Sequence, residues 1–239
     1  MDKVKNIVLV HGAWGDGSHW SKVIQVLQEK RFNVTAVQNP LTSLEDDVDR
    51  TRRLLAMQDG PTLLVGHSYG GAVITEAATK SPNVTGLVYI AAFAPDTGES
   101  LNSIFSEQAP PSGAANIRPD NDGFLWIDPK KFHESFCQDL SKVEGDVLSA
   151  VQKPIAARCF DDKITAPAWK TLPTWYQVSE NDNMIPPEAE RRMAERMKAK
   201  TISLPASHAS LASQPNEVAN LIIEAVEALA GGLAAGQTS

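Results

Sequence analysis

The chain has 239 residues, 42% of them hydrophobic and 21% charged, which suits one large α/β domain or two small ones. Its formal net charge of −7 disfavours binding to a polyanion, so nucleic acid is excluded as a partner. No apolar stretch reaches the roughly 20 residues that a bilayer span requires, and the N-terminus lacks the pattern of a signal peptide, so no membrane association is expected.

Strand-like and helix-like segments alternate along the first hundred residues. The apolar run NIVLVHG (6–12) and the β-branched run NVTAVQNP (33–40) predict strands, and an amphipathic helical stripe follows each of them. PTLLVGHSYGG (61–71) and VTGLVYIAAFAP (84–95) predict two more strands with a helix between them. Such repeated units predict a mostly parallel sheet of about six strands covered by helices on both faces, with ligands bound beyond the carboxyl ends of the strands.

The alternation stops between about residues 97 and 171. This segment is rich in proline and aromatic residues and is too long to be a bare loop, so we predict an inserted cap. The alternation resumes with a strand over 174–182, a helix, a strand over 201–208 and a last amphipathic helix. The expected organisation is a core made of residues 1–96 and 172–239, with 97–171 inserted as the cap.

The segment Gly66-His67-Ser68-Tyr69-Gly70 has the pattern G-x-S-x-G at a junction between a strand and a helix. That junction holds a nucleophile in a strained conformation, and the glycines on either side leave room for it. The turn projects the Ser68 hydroxyl above the sheet and places the Tyr69 amide at the N-terminus of the next helix, where it can stabilise a developing negative charge. The pattern predicts Ser68 as a nucleophile.

A serine needs a general base to react at neutral pH. His208, in the segment PASHAS, is the best placed of five histidines because its loop follows the final strand and can reach back over the sheet. His11 and His67 are expected to be structural, held beside the site by backbone hydrogen bonds. His19 and His133 are expected at the surface.

The base in turn needs a carboxylate that orients it and stabilises the imidazolium. Asp182 ends a predicted strand, and the chain order Ser68, Asp182, His208 is that of the α/β-hydrolases. Glu180 in the same strand end and Asp96 after the fourth strand are the alternatives.

A second oxyanion donor is expected in the loop that follows the first strand. There Gly12 lets the backbone turn close to the site, so that the Ala13 amide points inward beside that of Tyr69. Trp14 either lines the pocket or fills the core. Likewise, the aromatic residues of the cap form either a pocket wall or a separate core under the cap.

Five segments together resemble the α/β-hydrolase superfamily, namely HGAWGDGSHW, GHSYGG, LVYIAAFAPD, SENDNMIPP and SHASLASQP. Within it they resemble the branch that holds plant methylesterases, hydroxynitrile lyases and small bacterial esterases. The resemblance covers nearly the whole chain and is weakest over 101–170. It implies the α/β-hydrolase fold, a triad of Ser68, His208 and Asp182, an oxyanion hole of Ala13 and Tyr69, and neither a cofactor nor a metal.

The resemblance also implies a substrate pocket between the cap and the sheet, touched by Trp14, Phe93 and Trp126. The chain departs from the hydroxynitrile lyases, which carry a lysine after the catalytic histidine and a threonine in the oxyanion loop. Here Ala209 and Gly12 occupy those positions, which disfavours cyanohydrin cleavage. Haloalkane dehalogenases and epoxide hydrolases of this fold use an aspartate as nucleophile and are disfavoured for that reason.

The leading hypothesis is a serine esterase that cleaves small to medium carboxylic esters through an acyl-enzyme. Lactonase, thioesterase and perhydrolase activities use the same triad and stay open, as does a non-catalytic, hydrolase-derived ligand-binding protein. The partner expected is a small-molecule ester, and a homodimer is left open. Cys137 and Cys159 fit free thiols in a reducing compartment, so a cytoplasmic location is expected, with their pairing undecided.

Overall fold

The structure is a computed structural model that describes residues 4–106 and 110–235, with side chains through residue 231. Nine strands lie within these residues: β1 (Asn6–Val10), β2 (Asn33–Ala36), β3 (Thr62–His67), β4 (Val84–Ile90), β5 (Ile117–Pro119), β6 (Phe124–Ile127), β7 (Ile155–Ala156), β8 (Thr174–Ser179) and β9 (Lys200–Leu204).

Nine α-helices are found in the same ranges: α1 (Ser21–Glu29), α2 (Leu44–Ala56), α3 (Tyr69–Ala77), α4 (Leu101–Phe105), α5 (Phe132–Phe136), α6 (Lys142–Ala150), α7 (Pro187–Arg196), α8 (Ser210–Ser213) and α9 (Pro215–Ala235). Short 3₁₀ helices cover Gly17–Trp20, Ala78–Lys80, Ser112–Asn116, Ala157–Phe160 and Ala168–Lys170. Among the helices of the described residues, none combines the length and apolar content of a membrane span.

Six strands form one sheet in the order β2-β1-β3-β4-β8-β9, and all of its neighbouring strands are parallel. The predicted sheet of about six parallel strands is therefore confirmed. Its strands end earlier than the apolar runs suggest, because β4 stops at Ile90 and β8 stops at Ser179. The residues that follow these ends form the turns that carry the polar groups of the site.

Alternate residues of each central strand enter two separate apolar clusters, as expected for strands buried on both faces. Val8 and Leu64 face a cluster that includes α2, α3 and α7, whereas Ile7 and Leu63 face a cluster that includes α1 and α9. The sheet is thus a rigid middle layer, and its carboxyl edge is a fixed platform.

Residues 97–171, called the inserted segment below, contain a small antiparallel sheet in the order β5-β6-β7 with short helices around it. Phe132, Phe136 and Ile155 of this segment belong to the same apolar cluster as Val8 of the main sheet. The alternative of a separate core under the cap is therefore wrong, because these side chains extend the main core.

Candidate active site

Ser68 lies on the turn between β3 and α3, in a backbone conformation that is rare for a residue with a side chain. Its φ is +54° and its ψ is −126°. The surrounding chain holds this conformation, since the Ser68 N–H donates to the Ile90 carbonyl at 3.2 Å and the Ser68 carbonyl accepts from the amides of Gly71 at 2.9 Å and Phe93 at 3.1 Å. Such strain persists only where the fold over-determines it, which is characteristic of functional sites.

The glycines of this turn allow close backbone crossings. A Cβ at position 66 would lie 2.6 Å from the Gly70 carbonyl oxygen, and a Cβ at position 70 would lie 2.5 Å from that of Val10. Both distances are shorter than real Cβ contacts, so a side chain at either position would push the turn away from the sheet. The spacing of G-x-S-x-G therefore has a direct steric cause here.

The loop after β1 passes equally close to Ser68. A Cβ at Gly12 would lie 2.5 Å from the Ser68 Cβ and 3.1 Å from its Oγ. The next residue, Ala13, lines the same cavity as Ser68 and Tyr69. Within the described ranges, neither the Ala13 amide nor the Tyr69 amide donates a hydrogen bond to a backbone or side-chain acceptor. Both predicted oxyanion donors thus border the cavity beside Ser68.

His208 and Asp182 form a buried pair. The Nδ1–H of His208 donates to Asp182 Oδ2 at 2.5 Å, and both side chains are fully buried. The other carboxylate oxygen, Oδ1, accepts from the amides of Met184 at 2.6 Å and Ile185 at 2.8 Å. These two amides and the imidazole together fix the orientation of the carboxylate, and the carboxylate fixes the histidine tautomer.

The ring of His208 lies against the residue that precedes Ser68. His67 Nε2 donates to the His208 carbonyl at 2.8 Å, and the two ring centroids are 4.8 Å apart. Phe136 packs edge-on against His208 with centroids 5.0 Å apart. Nε2 of His208 is buried and has no hydrogen-bond partner in the described part of the chain. A neutral imidazole in this tautomer presents Nε2 as an acceptor.

The other histidines near the site are held neutral. Burial lowers the pKa of His11 to about 4, and burial also lowers the pKa of His67 well below its usual value. His11 Nδ1–H donates to the Gly12 carbonyl at 2.8 Å, and its Nε2 accepts from the Asn39 amide at 2.9 Å. The expected backbone hydrogen bonds of His11 and His67 are therefore present, and they tie the two loops to the sheet.

His19 does not occupy the surface position expected of it, whereas His133 is partly exposed. His19 is buried, which lowers its pKa to about 4, and its Nε2 has no hydrogen-bond partner in the described residues. His133 is half-buried, and its Nε2 donates to the Leu140 carbonyl at 2.9 Å. The prediction is wrong for His19, because a helix-start position does not tell which neighbouring helix will cover the residue.

The two alternative acids face other partners. Glu180 forms an ion pair with Arg191, and Asp96 forms one with Lys170. Only Asp182, among the three acids weighed, contacts His208 in the structure.

A cavity of about 330 Å³ opens in front of Ser68. Its wall is mainly apolar and includes Trp14, Phe93, Phe105 and Phe160. Trp14 also donates its indole N–H to the Leu125 carbonyl at 2.9 Å, which joins the β1 loop to the inserted segment. Two of the three predicted pocket residues, Trp14 and Phe93, thus line this cavity.

The third, Trp126, does not line it, so that expectation is corrected. Leu125, the preceding residue of β6, lines the cavity, and successive side chains of a strand point to opposite faces. Trp126 accordingly lies on the other face, where its indole N–H donates to Asp120 Oδ2 at 2.9 Å.

Several residues that shape the site have no motif that could have revealed them. Phe136 covers the His208 ring, and Asp47 accepts a 2.6 Å hydrogen bond from the Tyr69 hydroxyl. Burial raises the pKa of Asp47 to about 6. Cys137 and Cys159 are both free and buried, and burial raises the pKa of each thiol to about 12, so neither is a reactive thiolate.

Comparison with known proteins places this arrangement in context. Residues 7–221 match the model of the alpha/beta hydrolase family. A carbendazim hydrolyzing esterase from Nocardioides sp. (strain SG-4G) is 32% identical over 47% of this chain, a match that spans 52% of that relative's length. A pyrethroid hydrolase from Sphingobium wenxiniae is 26% identical over 94% of this chain and 89% of its own.

Plant relatives and solved structures agree with this placement. Methylesterase 2 from Arabidopsis thaliana is 25% identical over 83% of this chain and 86% of its own. The crystal structure of a pyrethroid hydrolase from Sphingobium faniae JZ-2 matches with a TM-score of 0.82 and 24% identity, over 95% of this chain and 99% of that chain. That likeness shows a shared fold. The resemblance to the small esterase branch is confirmed.

Proposed function

The chain belongs to the α/β hydrolase family, and we propose that it is a serine esterase that cleaves small to medium carboxylic esters with Ser68, His208 and Asp182. The observation that carries this proposal is the pairing of a strained Ser68 turn with a buried His208–Asp182 pair at one end of the sheet. The relatives that are named as esterases support it, as does the relative that is named as a pyrethroid hydrolase.

Acyl transfer proceeds in two halves on this geometry. Ser68 Oγ attacks the ester carbonyl while His208 Nε2 takes its proton, and the Ala13 and Tyr69 amides stabilise the oxyanion. The imidazolium then gives the proton to the leaving alcohol, which leaves an acyl-enzyme on Ser68. Water, deprotonated by His208, attacks that acyl group, and the collapse of the second oxyanion returns Ser68 and releases the acid.

The cavity supports a substrate of modest size with an apolar body. Its volume of about 330 Å³ lies at the small end of the range for ligand pockets. Apolar side chains, several of them aromatic, form most of the wall, and no lysine or arginine is among its lining residues in the described part of the chain. An uncharged ester fits this lining better than an ester that also carries a carboxylate, because a carboxylate buried in the cavity would have no counter-charge.

We further propose that the inserted segment acts as the cap over the core of residues 1–96 and 172–239. Phe105 and Phe160 of this segment line the cavity, which supports that role. The cytoplasmic location and the homodimer remain predictions; the free, buried state of both cysteines is what supports a reducing compartment.

The test is intact-mass labelling with a fluorophosphonate on the wild type and on Ser68→Ala, followed by a panel of esters, lactones and thioesters. We expect one adduct on the wild type, none on Ser68→Ala, and an unchanged melting temperature for the variant. Ester turnover should fall by about 10⁶ in Ser68→Ala. A folded wild type that forms no adduct would contradict the proposal and direct the search to ligand binding.

A further inference from the structure

Glu190 is a fully buried carboxyl group directly behind the acid of the proposed triad. It lies in the first turn of α7, and its Oε2 accepts the Ser179 amide at 3.0 Å. Its other oxygen, Oε1, is buried and has no hydrogen-bond donor among the described residues. The Glu190 carboxyl is within hydrogen-bonding reach of the Asp182 carboxyl.

No cation compensates this group. In the described part of the chain, no lysine, arginine or histidine pairs with Glu190, and the titratable groups that face it are Asp182, Glu180 and Tyr176. The nearby Arg191 is engaged by Glu180 and Glu188. An ionised Glu190 would therefore be a buried anion beside other acids, which is strongly unfavourable.

Two adjacent carboxyl groups can form a hydrogen bond only if one of them carries a proton, since two carboxylates are both acceptors. Asp182 already accepts hydrogen bonds from two backbone N–H groups and from the His208 Nδ1–H, so it is the acceptor of the pair. Glu190 receives one backbone N–H. The helix N-terminus and this amide favour a Glu190 anion, but burial and the neighbouring Asp182 outweigh them and raise its pKa well above the usual value.

We propose that Glu190 is a positioning residue that stays protonated and donates a hydrogen bond to the Asp182 carboxylate. The role assigned to it rests on the proposed function, because Asp182 matters only if His208 acts as a base. A fourth donor holds the carboxylate in the orientation that the imidazole requires.

The first arm of the test does not depend on catalysis. Unfolding equilibria of the wild type and Glu190→Gln are measured across a range of pH. The unfolded chain loses the Glu190 proton above pH 4.5, its ordinary pKa, while the folded chain keeps it. Wild-type stability should then fall relative to Glu190→Gln as the pH rises, with the ratio of their unfolding constants changing about tenfold per pH unit until the folded group ionises. A ratio that stays flat above pH 4.5 would overturn the proposal.

The second arm measures kcat and KM for p-nitrophenyl butyrate against pH. Glu190→Gln keeps an N–H donor and should retain a large part of kcat. Glu190→Met has the same length without a donor, so kcat should fall roughly tenfold to a hundredfold. In an Asp182→Asn background, Glu190→Met should have little further effect on kcat.

The outcomes separate the two proposals. Equal losses in Glu190→Gln and Glu190→Met would contradict the donor role, even if the stability ratio shows a proton on Glu190. A wild type without esterase activity, whose stability nevertheless falls relative to Glu190→Gln as the pH rises, would contradict the proposed function while the protonated Glu190 stands.

Discussion

The residues proposed to react and the residues that form the cavity wall come from two differently built parts of the molecule. Ser68, Asp182 and His208 follow β3, β8 and β9, and the turns that carry them are tied to neighbouring strand ends. The Asn181 amide, for example, donates to the Ala206 carbonyl at 3.0 Å. The apolar wall comes largely from the inserted segment, whose strands are two to four residues long.

This difference indicates that the chemistry and the choice of substrate are separable. A strand end of a buried parallel sheet cannot shift without disturbing the core, so the reacting groups are held at fixed positions. Phe105 and Phe160, by contrast, are only half-buried. Substitutions at strand ends should lower the rate for every ester, whereas substitutions in the wall should change the ranking of esters.

The largest effect in this comparison is expected from Asp182→Asn. The amide cannot hold the histidine tautomer or stabilise the imidazolium, so kcat should fall by about 10⁴ for all esters tested. Asp96→Asn is the matched control because Asp96 also follows a strand but pairs with the partly exposed Lys170. It should change kcat less than threefold. Steady-state kinetics on both variants check this, and the reverse ranking would transfer the role of the acid to Asp96.

Gly12→Ala tests how the loop at the end of β1 is positioned, without removing a reacting group. The new Cβ would lie 2.5 Å from the Ser68 Cβ, so the β1 loop must retreat and take the Ala13 amide with it. Loss of one oxyanion donor lowers kcat by about 10²–10³. Gly231→Ala makes the same chemical change where nothing lies within 4 Å, and its kcat should match the wild type. Equal kcat values for both variants would argue against Ala13 as a donor.

Phe160→Ala tests the wall. Enlarging the cavity removes contacts with a bulky acyl or alkyl group, so kcat/KM should fall about 10-fold to 100-fold for large esters and little for acetates. Phe124→Ala is the matched control, since Phe124 is also half-buried in the inserted segment but does not line the cavity. A uniform loss for all esters would show that the wall also positions the reacting groups.

The same division explains what the sequence could predict. The Ser68 turn is predictable because its constraint is local: Gly66 and Gly70 are required within two residues of the strained serine. The parallel sheet follows from continuous apolar runs, and it confines the site to one edge. The sequence could not decide between Asp182 and the alternatives Asp96 and Glu180. A strand end places a residue at the edge of the sheet but does not fix the direction of its side chain.

The remaining failures share a cause. The resemblance implies a pocket position for Trp126, but the register of β6 turns Leu125 toward the cavity and Trp126 away from it. Glu190 lies in a sequence segment rich in charged residues, and only its packing against the end of β8 makes it a buried acid. These properties depend on contacts between distant parts of the chain, which periodicity does not encode.

The last prediction concerns stability and not catalysis, at a core acid that the reaction does not use. Asp47 lies behind the Ser68 turn and accepts hydrogen bonds from the Tyr69 hydroxyl at 2.6 Å and the Leu41 amide at 2.8 Å. Burial raises its pKa from 3.8 to about 6. Between these values the folded chain holds a proton that the unfolded chain has lost, so wild-type stability falls as the pH rises, by about 3 kcal/mol in total, and is constant above pH 6.

Asp47→Asn should abolish that dependence, which urea unfolding between pH 3.5 and 7 (roughly the window set by these two pKa values) can measure. Asp46→Asn is an adjacent control of opposite sign. The hydroxyl of Thr42 donates to the exposed Asp46 and lowers its pKa, so its charge stabilises the fold and that stabilisation is lost as the pH falls. As the pH rises, the wild type should therefore gain stability relative to Asp46→Asn and lose stability relative to Asp47→Asn. If the wild type gained stability relative to both variants, Asp47 would be ionised throughout this pH range. The core behind Ser68 would then be more polar than its packing indicates.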